Sequence, residues 1–127
     1  MNAAEIEAFL QGVADRLNQR EVVPALVHGD LWGGNASPLM DGRGTIYDPA
    51  AWWADAEVDL AMTRLFGGFG QCFYRSYDAV TPPLPGANER LEIYNLYHLL
   101  NHANLFGGGY VDQSRASLQR LARQMTS

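Results

Sequence analysis

Residues 27–35 read Val-His-Gly-Asp-Leu-Trp-Gly-Gly-Asn, and a little further on the chain returns to a polar group in Ile46-Tyr47-Asp48-Pro49. Between Asn35 and Asp48 lies Asp41-Gly42, a dipeptide that favours a type I′ turn because both central positions of that turn need positive φ. A two-residue hairpin about it pairs Met40 with Arg43 and, followed outward, sets Asn35 opposite Asp48. A turn that instead takes in Arg43 and Gly44 moves the register but leaves the two side chains neighbours. An amide oxygen and a carboxylate then lie close together, the hard donors that a small divalent cation selects.

His28, Asp30 and Asn35 have the spacing of a phosphoryl-transfer loop, H-R-D-x-x-x-x-N, with Gly29 in place of the Arg. In such loops the Asp accepts the proton of the attacking hydroxyl and the Asn holds Mg2+, while a second carboxylate secures the metal against the nucleotide phosphates. Asp30 is thus the candidate catalytic residue, Asn35 and Asp48 are the candidate metal and nucleotide ligands, and Mg2+ and ATP are the implied cofactors. Each piece alone is weak, since H-x-D is commonly a turn or cap and Asp-Gly hairpins are widespread. Their joint spacing favours chemistry over structure.

The rest of the 127 residues bounds what this loop can serve. A chain this long, with 47% hydrophobic residues, is expected to form one domain over 1–127 with a packed core. A formal charge of −5 and the absence of a basic cluster argue against nucleic acid and anionic membranes as partners. No apolar run reaches spanning length, and Glu5 and Glu7 stand where a signal peptide would be basic, so a cytoplasmic protein is expected. A single cysteine, Cys72, agrees with a reducing compartment. All nine basic residues are Arg. The chain therefore cannot supply the phosphate-binding lysine that kinases and P-loop enzymes use.

Ile6, Phe9, Leu10, Val13 and Leu17 recur at helical spacing, predicting an amphipathic helix over 3–19. Val22 to Val27, broken by Pro24, suits an extended entry into the loop. Ala50 to Ala54, with Trp52 and Trp53, reads as irregular; Asp55 or Glu57 then caps a helix from about Val58. Phe69, Phe73 and Tyr77 mark another helix ending before Pro82, and the longest helical run spans Asn88 to about Phe106, stopped by Gly107-Gly108-Gly109. A last helix covers about Asp112 to Gln124 with Leu118 and Leu121 inward. The expected fold is mainly α with a small β-hairpin (α+β): loop at 27–35, hairpin at 35–48, helical remainder.

These residues resemble the C-terminal lobe of a fructosamine kinase (ketosamine-3-kinase), in the aminoglycoside-phosphotransferase branch of protein-kinase-like folds. The resemblance is carried by His-Gly-Asp-Leu-Trp-Gly-Gly-Asn at 28–35, Tyr-Asp-Pro-Ala at 47–50, Glu57, Asp-Leu-Ala at 59–61, Arg-Leu-Phe-Gly-Gly-Phe at 64–69 and Tyr-His-Leu-Leu-Asn-His at 97–102. It spans about residues 23–121, and Trp32 is its most specific letter. It implies that Asp30 deprotonates a sugar hydroxyl, that Asn35 and Asp48 hold Mg2+, and that Asp59 braces the loop by hydrogen bonding, with His28 in a similar supporting place. Ala56 departs from the family, whose members usually carry a basic residue there. The resemblance also implies an N-terminal lobe, with its phosphate-covering loop and lysine, that these residues do not contain.

Trp32 can stack on a sugar or close a cleft, and His98 is a minor candidate for substrate contact. His98 and His102, four apart on a helix, lack the third ligand a metal needs, and packing or hydrogen bonding is the commoner role. The favoured function is ATP-dependent phosphorylation of a sugar hydroxyl on ketoamine or glycated-protein substrates, with no turnover by this chain alone. The alternatives are an aminoglycoside- or choline-type phosphotransferase lobe and a non-catalytic binding module. Self-association, or docking of an N-terminal lobe, is the expected partnership.

Overall fold

The computed structural model describes residues 1–126. In chain order they form α1 (Ala3–Leu17), β1 (Ala25–Val27), a 3-10 turn (Gly33–Asn35), β2 (Ala36–Pro38), β3 (Gly44–Ile46), β4 (Trp52–Ala54), α2 (Glu57–Leu65), α3 (Gln71–Val80), α4 (Ala87–Phe106) and α5 (Gly109–Met125). The fold is mainly helical with a small hairpin, as the sequence predicts. Two compact units divide it: Met1–Val22 together with the stretch from Asn88 onward, and Val23–Ala87. No helix among the described residues is long and apolar enough to cross a membrane.

The first unit is built from α1, α4 and α5. Asn2 and Glu5 form a reciprocal capping box, each side chain accepting from the other's backbone N–H at 2.9 and 2.7 Å, which fixes where α1 begins. Phe9, Ile93, Leu96 and Leu121 make the core, with Val13, Leu17, Leu118 and Met125 packed against it. The inward stripe of α1 is therefore narrower than its apolar spacing suggests: Ile6 and Leu10 stay exposed. On α4, Leu91, Ile93, Leu96 and Leu99 are buried, and Leu100 is left at the surface. Glu92 ties α4 to α5 by accepting from Ser117 Oγ (3.1 Å) and Arg120 Nε (2.9 Å), and Arg16 of α1 pairs with Glu89 at 2.7 Å. Gly107 and Gly108, at φ 63 and 59, end α4 in a conformation that side chains resist.

The second unit holds both sheets. β2 and β3 pair antiparallel, Ala36 with Ile46, Ser37 with Thr45 and Pro38 with Gly44. That register corrects the two-residue hairpin. Leu39 N–H donates to the Arg43 carbonyl at 2.6 Å, so the loop holds Met40, Asp41 and Gly42, with Gly42 in the left-handed region at φ 85. A three-residue loop of this kind puts its glycine at the bulge position. The consequence is a shift of one residue: Asn35 faces Tyr47, whose N–H donates to the Asn35 carbonyl at 3.0 Å, and Asp48 lies one step beyond.

Trp52–Ala54, expected to be irregular, is instead strand β4, paired antiparallel with β1 so that Leu26 opposes Trp53 and Val27 opposes Trp52. Three residues are too few for a visible alternation, and the pairing spans residues far apart in sequence. Asp55 supplies the start of α2, its Oδ1 accepting from Glu57 N–H at 3.0 Å. α3 carries Phe73 and Tyr77, rings 6.4 Å apart, and Phe69, which precedes the helix, brings its ring 4.8 Å from that of Phe73.

Candidate active site

The loop between β1 and the 3-10 turn is held from below by one carboxylate. Asp59, in the first turn of α2, accepts from the backbone N–H of His28 with Oδ2 (2.8 Å) and of Gly29 with Oδ1 (3.0 Å). Two successive amides are thus pinned by a charged acceptor, a stronger arrangement than neutral hydrogen bonds give. Gly29 must be glycine on two counts: its φ is 85, and a β-carbon there would overlap the carbonyl oxygen of Ala50. The same carbonyl region closes the loop, with Ala50 N–H donating to the His28 carbonyl at 2.8 Å.

His28, buried, bridges the two ends of the motif. Its Nε2 donates to the Tyr47 carbonyl (2.7 Å), and its Nδ1 accepts from Asp30 N–H (3.1 Å). A carbonyl can only accept and an amide N–H only donate, so the partners select the neutral tautomer with the proton on Nε2. The ring thereby links the residue before Asp48 to Asp30 itself.

Asp30 is half-buried, and Asn35 is 7% exposed. Asn35 Nδ2 donates to the Asp30 carbonyl at 2.9 Å and to its Oδ2 at 3.2 Å, joining the two residues directly. The amide nitrogen is used up in this way. Its oxygen accepts no hydrogen bond from the described residues and is the end available to a cation. Asp48 is exposed and sits at φ 52, the sole non-glycine residue with positive φ among those described. Strained backbone of this sort concentrates at functional sites.

The Asn35 amide oxygen, which accepts no hydrogen bond from the described residues, and the carboxylate of exposed Asp48 are oxygen donors of the type Mg2+ takes, and in number they fit a metal that draws its other ligands from phosphates and water. Among the described residues no group of three or more His, Cys, Asp or Glu is arranged as a metal cage.

Trp32 rises from the same loop, 42% exposed, with its ring edge-on to Phe66 at 6.4 Å. The Trp32 backbone N–H donates to the Asp30 carbonyl (3.1 Å), and its backbone carbonyl accepts from Asn35 N–H (2.9 Å). In sequence Gly67 and Gly68 read only as helix terminators, and their packing role was missed. A β-carbon on Gly33 would lie 3.3 Å from the Gly67 carbonyl oxygen, and one on Gly68 would lie 3.3 Å from Gly33 Cα. Gly67 and Gly68 therefore do more than end α2: they let its exit loop lie against the 3-10 turn. The signal was the repeated Gly-Gly in both stretches.

His98 belongs to α4 of the other unit, half-buried, with Tyr97 edge-on at 5.3 Å. Its carbonyl oxygen accepts from His102 Nδ1 at 2.7 Å, the local helix hydrogen bond that spacing favours over a metal pair. A half-open cavity of about 1160 Å³ in that unit, walled by Phe9, Leu100, Val111, Leu118 and Met125, contains none of the expected site residues.

A helical lobe with a braced H-G-D loop, an Asn joined to the Asp and a hairpin leading to a second Asp is the lobe of a kinase-like protein. The chain belongs to the fructosamine kinase family, whose model matches residues 1–124. A probable ketoamine kinase of Synechocystis sp. is 52% identical over 111 residues, covering 87% of this chain and 38% of that protein. The ketosamine-3-kinase of Mus musculus is 42% identical over 122 residues, 95% of this chain and 39% of that one. The crystal structure of a candidate fructosamine-3-kinase from Haemophilus somnus superposes with a TM-score of 0.80 at 33% identity, over 91% of this chain and 40% of the other. The chain thus spans about two fifths of the length of the relatives it matches.

Proposed function

We propose that this chain carries the acceptor-activating half of an ATP-dependent kinase that phosphorylates a hydroxyl of ketoamine sugars, free or attached to glycated protein. The observation that carries the proposal is the direct join of Asn35 to Asp30, on a loop whose amides Asp59 holds. In this reading Asp30, half-buried and joined to Asn35, orients the sugar hydroxyl and takes its proton. Asn35, through its amide oxygen, and Asp48, through its carboxylate, would hold Mg2+. Bound there with ATP, the metal would neutralise charge on the β- and γ-phosphates. Trp32 offers the sugar an aromatic wall in this reading. The names of the relatives, ketoamine and ketosamine kinases, support the acceptor class. The proposal sets the protein in the cytoplasm, where ATP is held.

These residues include no lysine. In this proposal the phosphate-binding lysine and covering loop come from the portion of the relatives that lies outside the matched stretch. The test is phosphate transfer from ATP to fructosyl-glycine, with aminoglycoside and choline as controls. It compares the 127 residues alone with a chimera in which they replace the matching stretch of the Synechocystis relative. The expected result is no turnover alone and turnover in the chimera, falling by about 10²–10⁴-fold with Asp30→Asn. Full activity in the Asp30→Asn chimera would exclude Asp30 as the base, and preference for choline or an aminoglycoside would move the acceptor class.

A further inference from the structure

Gly34 carries a constraint that the motif spacing does not explain. A β-carbon built on it would come within 2.6 Å of three consecutive atoms of the Trp32 ring, Cζ2, Cη2 and Cζ3. Near-equal approach to three neighbouring ring atoms places that carbon over the face of the benzo ring, because a carbon beyond the rim would meet one atom much sooner than the others. The indole therefore lies with one face flat on Gly34. Backbone conformation does not demand glycine here, since Gly34 is absent from the positive-φ residues that include Gly29, Gly42, Gly67 and Gly68. The three atoms nearest to a side chain there all belong to the ring.

The remaining surroundings fix the ring further. Phe66 meets it edge-on at an interplanar angle of 80°. The Trp32 backbone is tied on both sides, to the Asp30 carbonyl and to Asn35 N–H. With one face seated on Gly34, 42% of the residue is still exposed, and its backbone is bonded to that of Asp30. An indole face packs well on the C–H face of a sugar ring, as a large flat surface with little conformational freedom to lose.

We infer that Gly34 is the positioning residue of the acceptor site: the absence of its side chain seats the Trp32 indole and thereby sets the face offered to the ketoamine sugar. This rests on the acceptor reading proposed above. Gly34 touches neither sugar nor phosphate in this scheme and acts through Trp32 alone. A methyl group at 34 pushes the ring off its seat, and the stacking face turns with it.

The test uses the 127-residue chain labelled with 5-fluorotryptophan, the three ¹⁹F signals being assigned by single Trp→Phe replacements. In Gly34→Ala the Trp32 signal is expected to move while those of Trp52 and Trp53 keep their positions. Millimolar fructosyl-glycine is expected to shift the Trp32 signal of the native chain at least five times more than that of the variant. A thermal double-mutant cycle adds a readout that needs no ligand and also covers a poorly folded variant. Gly34→Ala should lower Tm by on the order of 5–10 °C with Trp32 present and by under about 2 °C in a Trp32→Ala background. An unmoved Trp32 signal, or an equal loss of Tm in both backgrounds, overturns the assignment. A native Trp32 signal that ignores the sugar, with the thermal coupling intact, sinks the acceptor reading while leaving the seating of the ring in place.

Discussion

Asp59 illustrates how one side chain decides the geometry of others. Both of its oxygens accept backbone N–H groups of the loop, so Asp59→Asn replaces one acceptor with a donor that faces an N–H. The expected loss is about 1–3 kcal/mol, read as a lower urea midpoint with faster hydrogen exchange at His28 and Gly29. Native midpoint and exchange in the variant would show that the loop holds without it. Tyr77 carries a second prediction. Burial, and then the charges of Asp59, Glu57, Asp55 and Asp78, raise its pKa above the ordinary 10.0. A folded-state value above the unfolded one means that the unfolded chain loses the proton first. The contribution is complete below about pH 10 and is lost as pH rises through the raised folded value. Absorbance at 295 nm should show one late-titrating tyrosine that Tyr77→Phe removes.

At the scale of elements, the hairpin shows what a single residue of register does. A bulged three-residue loop moves the pairing so that Tyr47, not Asp48, opposes Asn35, and the chain then enters a left-handed turn at Asp48. A non-glycine residue pays for that conformation, Asp less than most, so Asp48→Gly should stabilise the fold by up to about 1 kcal/mol while removing a proposed metal ligand. Higher Tm together with weaker Mg-nucleotide binding is the expected pair of results; a lower Tm would show that the carboxylate is itself structural. Gly29→Ala runs the other way. It meets both a positive φ and the Ala50 carbonyl, and should cost about 2 kcal/mol or more.

At the scale of the molecule, each unit presents apolar surface. The cavity of the helical unit is walled by Phe9, Leu100, Val111 and Leu118, with Leu100 and Val111 well exposed, and Ile6 and Leu10 are exposed on α1. In the sheet-bearing unit Leu26 and Trp53, paired across β1 and β4, are both exposed. Apolar surface of this kind favours association. Sedimentation velocity should therefore show concentration-dependent dimers or larger species, reduced by Leu100→Gln. A strictly monomeric chain at high concentration would show that these patches are tolerated singly.

Local pattern alone marked the helices, because 3.6-residue spacing and the glycines at 67–68 and 107–108 act over a few residues. It also carried the family resemblance and the spacing of Asp30, Asn35 and Asp48, and through that resemblance the expectation that Asp59 braces the loop. What it left undecided depends on neighbours distant in sequence. The pairing of Trp52–Ala54 with β1, the exclusion of Ile6 and Leu10 from the core, the hairpin register and the seat of Trp32 on Gly34 came from the tertiary structure. A short strand has too few residues to show its period, and a glycine looks the same in sequence whether it ends a helix, accepts a positive φ or makes room for a ring. Only the atoms that come to lie against it tell these apart.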